Sequence, residues 1–178
     1  QHGTPYIDAD KVARELSSQA GKAYPAICSH FGKTILESNG EINRPKLRKI
    51  VFSQPEKRLW LEKLLHPMIN QEIEQRLKQL DAPYCTVEIP LLAETGRKAW
   101  MDRVLVVDAP KKIRIERIKK RDSLKDAEIK AIFSTQATRK KRLSMADDVI
   151  ENTGELKDLA TQVKKIHNYY LLLAEKKA

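Results

Sequence analysis

The chain has 178 residues and a mass of 20.4 kDa, a length that typically forms one domain with smaller lobes and that buries a core without disulfide staples. Hydrophobic residues make up 41% and charged residues 33% of the chain, which excludes a disordered or fibrous protein, and no apolar run has the ~18 residues of a membrane span. The net charge of +10 favours phosphate-rich partners such as nucleotides, nucleic acid or an anionic membrane surface.

The first half of the chain is predicted to be a strand followed by helices. Residues 5–8 have the pattern of a strand end, and the helix that follows places Val12 and Leu16 on one apolar stripe. The Ser-x-x-Glu sequence at 53–56 predicts a capping box, and Pro67 is expected to break the helix that this box begins. Further helices are expected over residues 24–31, from 43 onward and over 68–80. Together these helices form an insertion between two strands.

The second half alternates strands with strongly basic helices. Residues 103–108 form an almost fully apolar strand, as expected for a parallel sheet that helices cover on both faces. Between residues 111 and 142, 13 Lys and Arg residues stand against four acidic ones, so this segment carries most of the net charge. The other expected elements are basic helices over 111–121 and 125–141, strands at 84–89 and 148–150, and a last amphipathic helix over 156–170. The alternation predicts an α/β fold with a parallel sheet.

Acidic residues follow the predicted strands, at the edge where open parallel sheets bind their ligands. Asp8 and Asp10 follow the first strand, Glu94 the second and Asp108 the third. Phosphoryl transfer needs a group that orients the attacking hydroxyl, a metal ion, and Arg or Lys to stabilise the spreading charge. Asp10 or Asp8 could accept the hydroxyl proton, and the alternative for either residue is to cap the helix that follows.

Three arginines of the basic segment are candidate phosphate clamps, because a guanidinium group forks onto phosphate oxygens. They are Arg117, Arg121 and Arg139. His66 has no identifiable carboxylate partner in the sequence, and we expect it to cap or pack. The remaining cations are expected to be solvated, namely Arg114, Lys119, Lys120, Lys140, Lys141 and Arg142.

The phosphate-cradling pattern G-x-x-x-x-G-K-[ST] does not occur in the sequence, whose glycines number six. The residue pattern by itself therefore indicates an α/β protein that handles phosphates. A nucleic-acid-binding module that uses residues 111–142 stays open as an alternative. The acids at the strand ends, and the lack of a recognised nucleic-acid motif, weigh against that module.

Several segments taken together resemble the dephospho-coenzyme A kinase family. The similarity runs from about Tyr6 to the final helix, and LLHP followed by ADDVI-x-N-x-G is its most specific part. The segments that carry it are YIDAD at 6–10, VAREL at 12–16, WL at 60–61, LLHPMI at 64–69, IPLLAE at 89–94, RVLVVD at 103–108, QATR at 136–139 and ADDVIENTG at 146–154.

The resemblance implies transfer of the ATP γ-phosphate to the ribose 3′-hydroxyl of dephospho-CoA, with Mg²⁺, as the last step of coenzyme A biosynthesis. It implies a P-loop NTPase-type parallel sheet with helices on both faces, a helical CoA-binding lobe over residues 30–82 and a helical lid over 112–146. The core α/β domain would comprise residues 1–29, 83–111 and 147–178. A related P-loop kinase that acts on another small hydroxyl or nucleotide remains an alternative.

The resemblance also implies roles for single residues. Asp10 matches the catalytic acid that orients the 3′-hydroxyl, and Arg139 matches a lid arginine that contacts the transferring phosphates. Asn152 and Gly154 match the loop beside the adenine of ATP, with Arg117 and Arg121 as weaker nucleotide contacts. No residue of this chain is matched to a metal ligand. The positions expected on the dephospho-CoA side are Asp8, His66, Leu91, Leu92 and Glu94.

In the family, a first strand and a glycine-rich P-loop precede the segment that Gln1 begins. Its Lys would bridge the β- and γ-phosphates and its hydroxyl would hold Mg²⁺, so we expect little kinase activity from residues 1–178 alone. Cys28 and Cys85 lie far apart without metal-site spacing, and the first 20 residues contain no apolar block, so we expect free thiols and a cytoplasmic protein. The expected partners are ATP and dephospho-CoA, with no nucleic acid or membrane, in a monomer or weak homo-oligomer.

Overall fold

The computed structural model describes residues 3–122 and 124–177, and the chain divides into two compact units, Gly3–Ile89 and Pro90–Ala178. The expected core and lid ranges include Gln1, His2, Ser123 and Ala178, which lie outside the described residues. None of the described helices is long and apolar enough to cross a membrane.

The first unit is a short parallel strand pair with four α-helices between its strands in the chain. Ile7 of the first strand lies opposite Val87 of the second. The expected strand, and the helical block that follows it, are therefore both confirmed. The elements are β1 (Tyr6–Asp8), α1 (Ala9–Leu16), α2 (Tyr24–Phe31), α3 (Arg44–Ser53), α4 (Pro55–Lys78) and β2 (Thr86–Glu88).

Aliphatic side chains from the helices form the core of the first unit. Val12 of α1, Ile27 of α2 and Ile73 of α4 are fully buried, and α1 packs against α4. The spacing of Val12 and Leu16 puts both on the buried face of α1, as the apolar stripe predicts. Aromatic packing joins α2 to α4, because the His30 ring stacks on Trp60 with 3.7 Å between the ring centroids.

Two local predictions for α3 and α4 are wrong. Ser53 ends α3, and its hydroxyl donates to the carbonyls of Lys49 and Ile50 instead of capping the next helix. α4 begins after Gln54, without a side-chain cap, and continues through Pro67 for 24 residues. Proline removes one helical hydrogen bond, but α4 packs against both α1 and α3, and this packing holds the two halves of the helix in line.

The second unit is another parallel strand pair with helices before, between and after its strands. The pairing aligns Leu105 with Asp148 at one end and Asp108 with Glu151 at the other. The elements are α5 (Leu92–Thr95), β3 (Leu105–Asp108), α6 (Lys111–Asp122), α7 (Asp126–Thr135), α8 (Arg139–Leu143), β4 (Asp148–Glu151) and α9 (Leu156–Glu175).

The predicted basic helix over 125–141 is two helices. α7 ends at Thr135, and α8 begins after Thr138, whose hydroxyl accepts a hydrogen bond from the Lys141 amide at 3.2 Å. The reason lies in the cap, since a threonine with extended backbone satisfies an amide that would otherwise need the preceding turn. The α/β class and the parallel pairing are confirmed, as two two-stranded sheets within the described residues.

A charged network holds the amino end of β4. Arg103 donates to both carboxylate oxygens of Asp148, at 2.7 and 3.1 Å, and the Tyr170 hydroxyl of α9 donates to the same carboxylate at 2.8 Å. The Arg103 hydrogen bonds, with help from Tyr170, hold the pKa of Asp148 below its ordinary value. Charge on this nearly buried carboxylate therefore stabilises the folded second unit.

We expect Asp148→Asn to lower the free energy of unfolding at neutral pH by about 1–3 kcal/mol, the usual cost of losing hydrogen bonds to a charged group. Because the folded pKa is depressed, the wild-type contribution is present above the unfolded pKa of about 4 and disappears as the pH falls through the lower folded pKa. Urea denaturation at pH 7, 4 and 3 measures this. The difference between wild type and variant should shrink with acid.

The control is Asp102→Asn, because Asp102 pairs with Lys177 at an exposed site where an ion pair contributes little. A difference between wild type and Asp148→Asn that stays constant from pH 7 to pH 3 would contradict the assigned network.

Candidate active site

A buried carboxylate lies at the carboxyl end of β3. The Asp108 side chain is only 3% exposed. Arg139 of α8 donates from Nε to its Oδ2 at 2.8 Å, and Arg139 Nη2 forms an ion pair with the same oxygen at 2.7 Å. The hydrogen bond to Asp108 raises the pKa of the Arg139 guanidinium above its already high ordinary value. The ion pair thus joins a candidate phosphate clamp to the end of the strand where parallel sheets bind ligands.

Two arginines that we expected to be solvated contribute to the same cluster. Arg142 is 23% exposed, with Nη2 lying 3.9 Å from Asp108 Oδ1 and Nη1 donating to the Ala137 carbonyl at 2.8 Å. Arg114 lies over the Phe133 ring, 4.5 Å from its centroid. Burial lowers the pKa of Arg114, and the positive charge of Arg142 lowers it further. The expectation of solvated side chains is wrong for both residues.

The chain after β4 completes the cluster. The Asn152 amide donates to the Asp108 carbonyl at 2.7 Å, and Arg117 of α6 donates through Nη1 to the Asn152 carbonyl at 2.9 Å. Arg117, Asn152 and Arg139, predicted separately from the sequence, are therefore brought together around Asp108. Gly154 follows as an exposed residue before α9.

Glu94 supports the chain that leads into α8. Its Oε1 accepts a hydrogen bond from the Ala137 amide at 2.7 Å, two residues before Arg139. Leu91 is half exposed, and its carbonyl accepts the Thr95 amide at 3.0 Å, while Leu92 begins α5. This arrangement links Glu94 to the arginine cluster through the backbone.

Arg121 lies apart from these contacts. Its guanidinium group forks onto the neighbouring Asp122 at 2.8 and 2.7 Å, and its side chain is 77% exposed. Lys119 is also exposed and pairs with Asp126. The end of α6 is therefore a solvated charged surface.

In the first unit, Asp8 caps α1. Its Oδ1 accepts the amides of Asp10 at 2.8 Å and Lys11 at 3.1 Å. The capping alternative is confirmed for Asp8, and it leaves the exposed carboxylate of Asp10 in the first turn. His66 is exposed on α4, so its expected packing role is wrong.

A cleft of about 460 Å³ opens beside the cap within the first unit. Asp10 is not among its lining residues in the described part of the chain. The residues that line it are Tyr6, Ile7, Asp8, Lys11, Arg76, Gln79 and Leu80.

The arginine cluster has the chemistry of an anion site. Arg139 and Arg142 lie against a single buried carboxylate, and Arg117 is joined to it through Asn152. The cluster therefore carries excess positive charge that a phosphate can neutralise. The described residues contain no group of three or more His, Cys, Asp or Glu side chains that could hold a metal ion.

Sequence reasoning placed Asp108 at the ligand-binding edge of the sheet without giving it a role, and it missed Arg142 as a member of this site. A signal for Arg142 was available, because it stands three residues after Arg139, on the same side of a helix. Arg114 has a similar helical spacing, because it stands three residues before Arg117. These spacings did not stand out because the residues belong to a long charged segment, in which most side chains are expected to be solvated.

Replacement of Asp8 tests the cap. Asp8→Ala removes the acceptor of two amides and should destabilise the protein by about 1 kcal/mol, whereas Asp8→Asn keeps an acceptor oxygen and should cost much less. Urea denaturation of both variants measures the difference. Equal destabilisation by Asn and Ala would show that the negative charge, and not the cap geometry, supplies the stability.

Comparisons with known proteins give one consistent result. The family model described as dephospho-CoA kinase matches residues 1–158. The dephospho-CoA kinase of Coxiella burnetii is 44% identical over 174 residues, covering 97% of this chain and 87% of its own. That of Legionella pneumophila strain Paris is 43% identical over 169 residues, covering 95% and 84%.

Two solved structures are similar to this chain at 29% identity. The dephospho-CoA kinase from Campylobacter jejuni superimposes with a TM-score of 0.71, covering 99% of this chain and 88% of its own. A crystal structure from Thermus thermophilus gives a TM-score of 0.78 over 94% of this chain and 85% of its own.

Proposed function

The chain belongs to the dephospho-CoA kinase family, and on that premise we propose that its arginine cluster binds the phosphates of ATP while Asp10 orients the 3′-hydroxyl of dephospho-CoA. The enzyme is a kinase of coenzyme A biosynthesis. The observation that carries the proposal is the Arg139–Asp108 pair, because it holds a half-exposed guanidinium group at the carboxyl end of β3.

Arg139 and Arg117 supply positive charge to the transferring phosphoryl group. In phosphoryl transfer the protein acts mainly by positioning and by stabilising charge that spreads over the equatorial oxygens. Arg139 is 56% exposed although it is paired, so part of its guanidinium group is available to an anion. Asn152 and Gly154 would lie along the adenine of ATP, and Arg117 would hold Asn152 from its carbonyl.

Asp10 acts on the attacking alcohol. Its neighbour Asp8 is occupied by two backbone amides, which leaves the Asp10 carboxylate as the acidic group at the start of α1 that is open to substrate. A carboxylate within hydrogen-bond reach of the 3′-hydroxyl aligns it and accepts its proton as the bond to phosphorus forms. Mg²⁺, when bound to the phosphates, neutralises part of their charge.

The dephospho-CoA side of the proposal involves two further segments. The lobe over 30–82, where His66 is exposed, is the substrate lobe, and the segment over 112–146 is the lid that excludes water on closure. Leu91, Leu92 and Glu94 would contact substrate beyond β2, and Arg121 would reach nucleotide only after releasing Asp122. A monomer or weak homo-oligomer in the cytoplasm, with no nucleic-acid or membrane partner, completes the proposal.

A substrate comparison tests the assignment. The full-length enzyme is assayed for ADP release with ATP and dephospho-CoA, AMP or shikimate as acceptor. Turnover with dephospho-CoA alone is the expected result, and preference for AMP or shikimate would instead favour a related kinase. A random oligonucleotide titrated at several salt concentrations controls for the basic surface, since tight and strongly salt-dependent binding would support the nucleic-acid alternative.

Asp10→Asn should lower kcat by about 100-fold or more, within the range for loss of a general base, while the affinity for ATP changes less than about twofold. The amide keeps the size of the side chain but cannot accept the proton. Steady-state kinetics and equilibrium titration with an ATP analogue measure the two quantities. Asp81→Asn, at another exposed acid of the first unit, is the control, and wild-type turnover of Asp10→Asn would refute the assigned role.

A further inference from the structure

We propose that Asp108 is a positioning residue for phosphoryl transfer. Its carboxylate anchors Arg139, which presents its free donors to phosphate, and Arg142 supports that carboxylate from its other oxygen. The inference rests on the proposed function, since it assumes that Arg139 contacts the transferring group. It adds a buried acid and a second arginine to the reacting site.

The geometry of the Arg139 pair leaves donors free for phosphate. Arg139 donates one hydrogen bond, from Nε to Oδ2, and its Nη2 lies 2.7 Å from the same oxygen. A guanidinium group has five N–H donors, so Asp108 fixes the orientation of Arg139 without consuming its capacity to bind an anion. The Asp108 side chain is only 3% exposed, whereas the Arg139 side chain is 56% exposed. The carboxylate that anchors Arg139 is therefore buried, and part of the guanidinium group is open to solvent.

The other carboxylate oxygen of Asp108 points to Arg142. Oδ1 is buried and has no hydrogen-bond partner among the described residues, and Arg142 Nη2 lies 3.9 Å away. A buried acceptor without a donor is unfavourable, so a small approach of Arg142 is favourable. Arg142 follows Arg139 by one turn of α8, so it supports Oδ1 of Asp108 while Arg139 is held on Oδ2.

The backbone of Asp108 gives the anchor a fixed position. It is the last residue of β3, paired in register with Glu151 of β4, and its carbonyl accepts the Asn152 amide at 2.7 Å. Because Asp108 is fixed in the strand pair, the side chains that contact it are held at a fixed place relative to the sheet. A displacement of about 1 Å in a reacting group can cost on the order of 100-fold in rate, so this fixed placement of the arginines matters for the reaction.

The chain contains a matched control for this proposal. Asp148 also pairs with an arginine, Arg103, and also lies in the β3–β4 pair, but at the amino end of β4. The two ion pairs share their chemistry and differ in which end of the strands they occupy. Loss of either acid affects stability, and only loss of Asp108 should affect transfer.

The experiment compares Asp108→Asn with Asp148→Asn in the full-length enzyme, with and without Arg139→Ala. Asp108→Asn should lower kcat about 10- to 100-fold with KM for dephospho-CoA unchanged, and should add less than about twofold to the loss caused by Arg139→Ala, because it acts through that arginine. Asp148→Asn should lower the melting temperature while kcat stays within about twofold of wild type.

If Asp108→Asn does not fold, Arg142→Gln gives the same test, with an expected loss of about 10-fold in kcat that disappears in the Arg139→Ala background. Wild-type kcat in Asp108→Asn, or in Arg142→Gln where that variant replaces it, would overturn the inference. A loss that multiplies fully with that of Arg139→Ala would do the same. Failure of the wild-type enzyme to phosphorylate dephospho-CoA would instead refute the proposed function, so the two failures are distinguishable.

Discussion

A buried carboxylate is unfavourable unless cations and hydrogen bonds replace the water that it has lost, and the second unit is organised around one such group. Asp108 brings Arg139 and Arg142 of α8 to the end of β3, while its carbonyl receives the chain after β4 through Asn152. The same constraint that makes the acid tolerable in the interior therefore gathers the guanidinium groups that we propose to bind phosphate.

The two ends of the β3–β4 pair have different roles, one in stability and one in the proposed phosphate binding. At the amino end of β4, Asp148 binds Arg103 and Tyr170, which fastens α9 to the strand. At the carboxyl end, Asp108 presents arginines towards the exterior. The first unit shows a comparable division within three residues, because Asp8 serves the α1 backbone and Asp10 remains exposed.

The sequence pattern correctly predicted elements that are determined by neighbouring residues. It failed where the structure depends on packing between distant segments. The helix over 24–31 and the Asp8 cap follow from spacing and side-chain chemistry alone. Pro67 fails as a helix breaker because α4 is held by its neighbours, and a cap at Thr138 splits a helix that a continuous run of charge concealed. Arg142 was missed because its burial depends on where Asp108 lies in the folded chain. The spacing of charged residues along the sequence does not contain that information.

The choice of arginine over histidine in the cluster has a consequence for how the enzyme responds to its surroundings. Guanidinium groups keep their charge across the physiological range of acidity, so cellular acidification leaves the binding surface of the cluster unaltered. Dissolved sulfate or inorganic phosphate, by contrast, competes for the same exposed donors, and ionic strength screens their long-range attraction. If the cluster binds ATP as we propose, salt and competing anions will therefore weaken nucleotide binding more than a change of pH will.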